Sequence, residues 1–520
     1  MLSLDRLRPG ESADLPAPGD DKLKPDSRWQ ANVHRYQLYQ SLMLGGSRML
    51  MPPSGTAHPI TGGGLKDNSY LRRLPGESAM GGTNATGEED AWVRRRDGAS
   101  HDPVSSRIVW TYVDTFFRQH VDRSSVIDAL GQDVYDNVDM RGTGIDDWLP
   151  SAYAQGLAHG WVIGLVDLPP VEEEFASLEH EKAAGLRPYV QLITPIRVWK
   201  LEQDDFGAVT YALIHEGPSR WREWTADGCR LLDEDGNVLE SKQHSFGKVP
   251  MVIFRANDPD PDDETAPVGE SAMAATSLVD LQILQHLSLL DDIQRKTGFP
   301  FLHVQRDQET IIESDTTLGA DYQYYIDASV DWKAPPDTCT QEVRAHIQWL
   351  ESLALKIGGV HRRSMDSVEA HSGLALDWEN APIYSIVHRW ARRLRAWELQ
   401  LWGLMAEALG KRGTIIEVSY PDDFSSRPVD QDLEHAKSIM DLYAGSPPPW
   451  AKVVVDALVR RVGRRLVGHL PDVASALPPV IEVEEKPEPP PMMPGEEPPF
   501  GPDDGPEKAF LNRQLGDDNA

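Results

Sequence analysis

Three long helical periodicities between residues 269 and 411, broken in two places, constrain this chain more than any other feature. In "VGESAMAATSLVDLQILQHLSLLDDIQRKTG", Leu278, Leu281, Leu284, Leu287 and Leu290 recur at helical spacing, and Val279, Ile283 and Ile293 widen the apolar face. That pattern stops at Gly298-Phe299-Pro300. It returns from Thr340 through Val343, Ile347, Leu350, Leu353 and Ile357, and ends at Gly358-Gly359. The third pattern covers 374–409, with Ile383, Val387, Trp390, Leu394, Trp397, Leu401 and Leu404 or Met405 on one face. Pro382 is expected to kink or break it near its start. The first break holds the β-prone "FPFLHVQRD" and "DYQYYIDA", with a turn or short helix at "DQETIIES" between them. The second break is the polar loop "SMDSVEAHSG", residues 364–373.

Upstream, a helix is predicted over 29–44, then a Gly- and Pro-rich stretch over 45–103 reads as long loops with one short helix. "SSRIVWTYVDTFFRQHV", capped by Ser105 or Ser106, and "GIDDWLPSAYAQGLAHG" read as two more helices. A strand-rich region follows. It contains "WVIGLVDLP", "RPYVQLITPIRVWKLEQ", "AVTYALIHEG", a hairpin at Asp235-Gly236 in "CRLLDEDGNVLES", and the buried strand "KVPMVIFRAND". Asp233, Asp235 and Glu240 lack the spacing of an EF-hand, so a hairpin turn is the reading there. "GTIIEVSYPDDF" reads as one further strand, and "DQDLEHAKSIMDLYAG" and "PPWAKVVVDALVRRVG" as two shorter helices. The ends, 1–27 and 476–520, are Pro-rich and acidic and are expected to be disordered. The class is α+β.

A chain of 520 residues suggests two to four domains or subdomains. Its net charge of −31 argues against a surface that grips nucleic acid throughout, yet permits one that encloses DNA without holding it. From charge alone, mere solubility is the favoured reading. The N-terminus has no long apolar core, no stretch is long enough to span a membrane, and the two cysteines form no CxxC pair. The expectation is a soluble, intracellular protein without a disulfide scaffold. Asn84-Ala85-Thr86 matches a glycosylation sequon, with nothing else to suggest secretion.

Catalytic signatures are sparse. There is no GxxxxGK[ST], no HExxH and no GxGxxG after a strand. "GESAM" at 269–273 lacks the second glycine of a nucleophile elbow. His101-Asp102 is a candidate ligand pair. The strongest remaining candidate is 361–373, where Asp366, Glu369 and His371 could converge on a metal and a metal-bound water. Arg362 and Arg363 beside them oppose a cation and suit phosphate. The alternative is a polar connector between helices.

The order of these parts resembles that of the portal proteins of tailed bacteriophages. A mixed region ends in "KVPMVIFRAND", a Gly-Glu-Ser turn opens a long helix, and a strand-containing insert begins "FPFLHV". A second helix, a polar loop and a long helix opened by "SGLALDW" complete the series. "GLAHGWVIGLVDLPP" followed by "RPYVQLITPIRVWKLE" extends the likeness, which spans roughly 105–445.

The resemblance implies a mixed α/β wing over 28–268, carrying the Gly-rich insert 45–103, with stem helices at 269–297 and 339–359. A small α/β clip would occupy 298–338, a tunnel loop 360–373, a long kinked wing helix 374–411, a wing strand 412–427 and a helical crown 428–475. It implies a homo-oligomeric ring, usually of twelve subunits, at one capsid vertex of the virion, assembled in the host cytoplasm. Double-stranded DNA would pass through it during packaging and ejection. Its partners would be the terminase large subunit, the head-tail adaptor, and the major capsid and scaffolding proteins, with no membrane, no cofactor and no catalysis of its own. The tunnel loop would face DNA through Arg362, Arg363, Ser364, Asp366, Glu369 and His371. The clip would face motor and adaptor through Gln305, Arg306, Asp307, Gln308, Glu309, Asp321 and Tyr322, and its β-prone "QYYIDASV" could pair with strands of adjacent subunits. Arg389, Arg392, Arg393 and Arg395, off the tryptophan stripe, could pair with acidic residues of a neighbour. Another virion structural or connector protein is the nearest alternative, and a metal-dependent hydrolase or nuclease the next.

Overall fold

A computed structural model describes residues 23–56, 64, 69–74, 77, 91–169, 187–244, 246–297, 301–305, 329–333, 338–360, 373–421, 424 and 437–438. All of them belong to one compact unit, Met1–His469.

The first helix, α1 (Ser27–Leu44), is capped by Asp26, whose carboxylate accepts the Trp29 N–H at 2.6 Å. Leu23, Trp29 and Val33 pack with Trp199, Leu213, Trp221 and Leu232 to form a small second core. The end of the stretch expected to be a mobile arm is therefore held down. Two short helices follow in the Gly-rich stretch, α2 (Ser47–Leu50) and α3 (Ala91–Gly98).

The next helix, α4 (Val104–Phe116), is capped by neither Ser105 nor Ser106. Its first N–H groups, at Val104 and Ser105, donate to Asp280, 175 residues away, at 2.9 and 2.7 Å. A cap supplied across the fold satisfies the same orphan donors, but no local pattern announces it. The short helices α5 (Ser124–Leu130) and α6 (Gln132–Asp136) were not legible in the apolar periodicity, and α7 (Ile145–His159) was.

The strands divide into three antiparallel sheets. In the first, β1 (Trp161–Asp167) is central between β2 (Tyr189–Ile193) and β8 (Met251–Arg255), and six of its seven residues are buried. In the second, β3 (Val198–Gln203), β4 (Val209–Gly217), β5 (Arg220–Trp224), β6 (Gly228–Leu232) and β7 (Val238–Gln243) form a meander. The strand β5, "RWREW", escaped the sequence reading because its two tryptophans, three apart, face opposite sides of the sheet and give no alternation; Trp221 lies in the small second core and Trp224 in the main one. The expected hairpin is present between β6 and β7. Asp233 holds its turn by accepting the N–H groups of Asp235 and Asn237 at 3.0 and 2.8 Å, so the carboxylate serves the backbone. The third sheet pairs β9 (Phe301–Gln305) with β10 (Ser329–Lys333).

The long helices are α8 (Ala274–Thr297), α9 (Thr338–Ile357) and α10 (Gly373–Ala408). The helix α8 begins at Ala274 rather than at the expected residue 269. "GTIIEVSYPDDF" is not a strand: its only pairing among the described residues is an isolated bridge between Ser419 and Asp122. Pro382 lies inside α10 and does not end it. The expected apolar stripe of that helix is core, with Ile383, Val387, Trp390, Leu394, Trp397, Leu401, Leu404 and Met405 all buried. It packs against β1 and β8. Gly164 on β1 leaves room for it, since a Cβ there would stand 2.6 Å from Leu401 Cδ2. Trp397 donates its indole N–H to Val252 O at 3.0 Å.

Candidate functional site: the frame of the polar loop

Arg362, Arg363, Ser364, Asp366, Glu369 and His371 lie outside the described residues, as do Arg306, Asp307, Gln308, Glu309, Asp321, Tyr322, "DYQYYIDA" and both crown helices save Lys437 and Ser438. Gln305 ends β9 opposite Ser329. The structure does describe the frame that presents the loop.

Phe301 pairs with Lys333 at the near end of β9 and β10, four and five residues from the ends of α8 and α9. The two helices therefore run side by side in opposite directions. Val279, Ile283 and Leu284 of α8 and Ile347, Leu350 and Ala354 of α9 are buried in the main core. His286 and His346 meet across the pair with ring centroids 4.6 Å apart, and Trp349 stacks on His346.

At its far end α9 stops in a defined way. The Val360 N–H donates to Leu355 O at 2.8 Å and the Gly359 N–H to Lys356 O at 3.1 Å, with Gly359 at φ 65°. This is the Schellman pattern, and glycine holds the left-handed position without a Cβ penalty. The Tyr112 hydroxyl of α4 donates to Gly358 O, and a Cβ on Gly358 would meet Ile108 at 2.8 Å. The root of the loop is thus pinned to α4, which also packs on α8, α9 and α10.

A buried ionic group locks α10 on the other side of the frame. Arg123 donates to Glu398 Oε1 and to Asp146 Oδ1, each at 2.6 Å, and Trp402 donates to Glu398 Oε1 at 3.0 Å. The Tyr420 hydroxyl donates to the other Glu398 oxygen. Burial and the neighbouring Glu398 carboxylate push the Tyr420 phenol well above its usual range, so it stays a donor.

The Gly-rich insert docks on α8. Arg95, buried, donates to Ser288 Oγ at 2.7 Å and grips both Glu77 oxygens at 2.8 Å. Gln285 accepts from Arg72 N at 3.0 Å and donates to Tyr70 O at 2.9 Å. The Arg73 guanidinium lies 4.3 Å from the centre of the Trp92 ring.

The remaining catalytic candidates are both buried. Ser271 of "GESAM" is buried; its hydroxyl donates to Ala158 O at 2.5 Å and accepts from Met273 N at 2.9 Å. The glycine before it permits a close backbone approach, since a Cβ on Gly269 would stand 2.6 Å from Gly160 O. His101 is buried, and its Nε2 stands 3.7 Å from Asp280, not against Asp102. Burial pulls its pKa down to about 4. No group of three or more metal-ligating side chains occurs among the described residues, and none of the described helices is long and apolar enough to cross a membrane. A small pocket of about 130 Å³ opens between the first two sheets, where its Arg222 and Lys242 are already paired with Glu216 and Asp167.

No protein-family model matches the chain, and no curated protein matches it. Among solved structures, a chain of the virion of native gene transfer agent (GTA) particle is similar at a TM-score of 0.39 and 13% identity, covering 70% of this chain and 92% of that one. A chain of the neck of empty GTA particle, computed with C6 symmetry, gives 0.38 at 13%, covering 68% and 89%. A chain of the neck of native GTA particle, computed with C12 symmetry, gives 0.37 at 13%, covering 68% and 90%. Likenesses this distant carry no weight for function, which rests here on the chain's own residues.

Proposed function

We propose that this chain is a portal-type subunit, forming a homo-oligomeric ring at one vertex of a phage-like capsid. The ring would be the channel for double-stranded DNA during packaging and ejection, and the dock for the terminase large subunit and the head-tail adaptor. It would be a conduit without catalysis of its own, with ATP hydrolysis left to the motor. What supports this reading above all is the unit formed by α8, the β9–β10 hairpin, α9, the loop root and α10: paired helices tipped by a hairpin, with a polar loop at the opposite end.

A ring subunit needs lateral surface to spare. Leu278, Trp349 and Ile357, on α8 and α9, are large apolar residues left exposed in the single chain. The loop's mixed charges suit weak, sequence-independent contact with phosphate, with Arg362, Arg363 and His371 attracting and Asp366 and Glu369 limiting the grip. Deleting residues 362–371 is expected to leave ring assembly intact and to disturb packaging or DNA retention. A deletion variant that forms no rings would make the loop a structural element and remove its assignment to the channel.

A further inference from the structure

Four arginines lie off the buried stripe of α10, and the structure separates them. Arg393 is committed within its own chain: Nη2 donates to Asp258 Oδ2 at 2.6 Å and Nη1 to Ala256 O at 3.2 Å. Arg389, Arg392 and Arg395 are exposed and make no ion pair among the described residues. Downstream of Asp258 the turn "DPDDE" carries Asp260, Asp262, Asp263 and Glu264, all exposed and none in an ion pair among the described residues. Asp260 and Asp263 accept only from their own turn, at Asp262 N (3.1 Å) and at Thr265 N and Oγ1 (2.8 and 2.7 Å).

We propose that Arg389, Arg392 and Arg395 form a strip that receives the acidic turn 260–264 of a second copy of this chain. The contact rests on the ring reading above and adds its lateral chemistry. The Arg393–Asp258 pair shows how α10 takes a carboxylate from just before this turn: two guanidinium nitrogens reach its two oxygens, at 2.6 and 3.3 Å. Once that pair forms, three arginines and four carboxylates remain. A second copy presenting the same two neighbouring surfaces matches that surplus. Exposed pairs are individually weak, so the strip sets register and opposes the mutual repulsion of chains carrying −31 each. Phosphate is the competing occupant for arginine. The adjoining acidic turn and the overall negative charge favour carboxylate.

The test uses the full chain at about 0.15 M salt, where exposed charges act over roughly 8 Å. Native mass measurement reads the assembled fraction, and a thermal melt checks the fold. Arg389→Glu/Arg392→Glu/Arg395→Glu and, separately, Asp260→Lys/Asp262→Lys/Glu264→Lys should each lower assembly about tenfold with the melt unchanged. Both sets in one chain should restore it. The milder Arg392→Gln should lower assembly about twofold. Reversals that assemble like wild type, or singles that fail without rescue in the combined variant, would overturn the contact while leaving the ring reading intact. Unchanged assembly with weakened binding of double-stranded DNA would assign the strip to phosphate instead. A wild-type chain that stays monomeric at every concentration would remove both.

Discussion

Glu398 and Arg123 have side chains that are each 1% exposed, and together they hold four parts of the chain: the α4–α5 connection, α7, α10 and the segment ending at Tyr420. Breaking such a pair leaves a buried charge without a partner, at a cost of about 3–5 kcal/mol. Glu398→Gln is therefore expected to lose about that much stability by chemical denaturation, and Arg123→Met/Glu398→Leu to recover part of it. Nothing in the local sequence marks Glu398, which stands between Trp397 and Leu399 like any charge at the edge of a helix face; its partner is 275 residues away. His159 is a second case. Burial pulls it from 6.5 down to about 4, with Nδ1 bonded to Gln155 O and Nε2 unbonded. Between those values the unfolded chain binds the extra proton, so stability falls as pH drops from 6.5 toward 4. The slope is about 1.4 kcal/mol per pH unit. His101 adds to it, whereas Asp280, raised by burial, opposes it at the acid end. His159→Gln should flatten the slope of stability measured across this window.

Elements whose signal is local were legible in the sequence. The stripe of α10 is buried as its spacing predicts, and the glycine stop of α9 is explained by the Schellman hydrogen bonds. Elements specified across the fold were not. The cap of α4 comes from Asp280 on α8, and the extended segment at 412–421 resembles a strand in β-branched content but finds only one bridge. The start of α8 moved to Ala274 because Gly160, Asn257 and Glu270 hold "GES" in a turn. Asp280→Ala is expected to cost about 2 kcal/mol, the upper range for a lost cap. Ser106→Ala should change stability by less than about 0.5 kcal/mol. Equal effects from the two would contradict the long-range cap. The polar loop shows the same division: its root is explained by Gly358, Gly359 and Tyr112, while the residues singled out for chemistry lie beyond the described frame.

At the scale of the whole molecule, the Ser271 hydroxyl and the Asp233 carboxylate bond to backbone groups of their own fold. What remains is an antiparallel helix pair, with the paired strands β9 and β10 at one end and the glycine stop of α9 at the other. A net charge of −31 suits a wall along which a polyanion slides, provided the copies are held together against their own repulsion. That requirement places the weight of the account on assembly. The most direct test is single-particle imaging of the purified full chain by negative stain, together with native mass measurement. The account predicts rings with a central hole and one dominant subunit number. A single monomeric species across concentration and salt would contradict it.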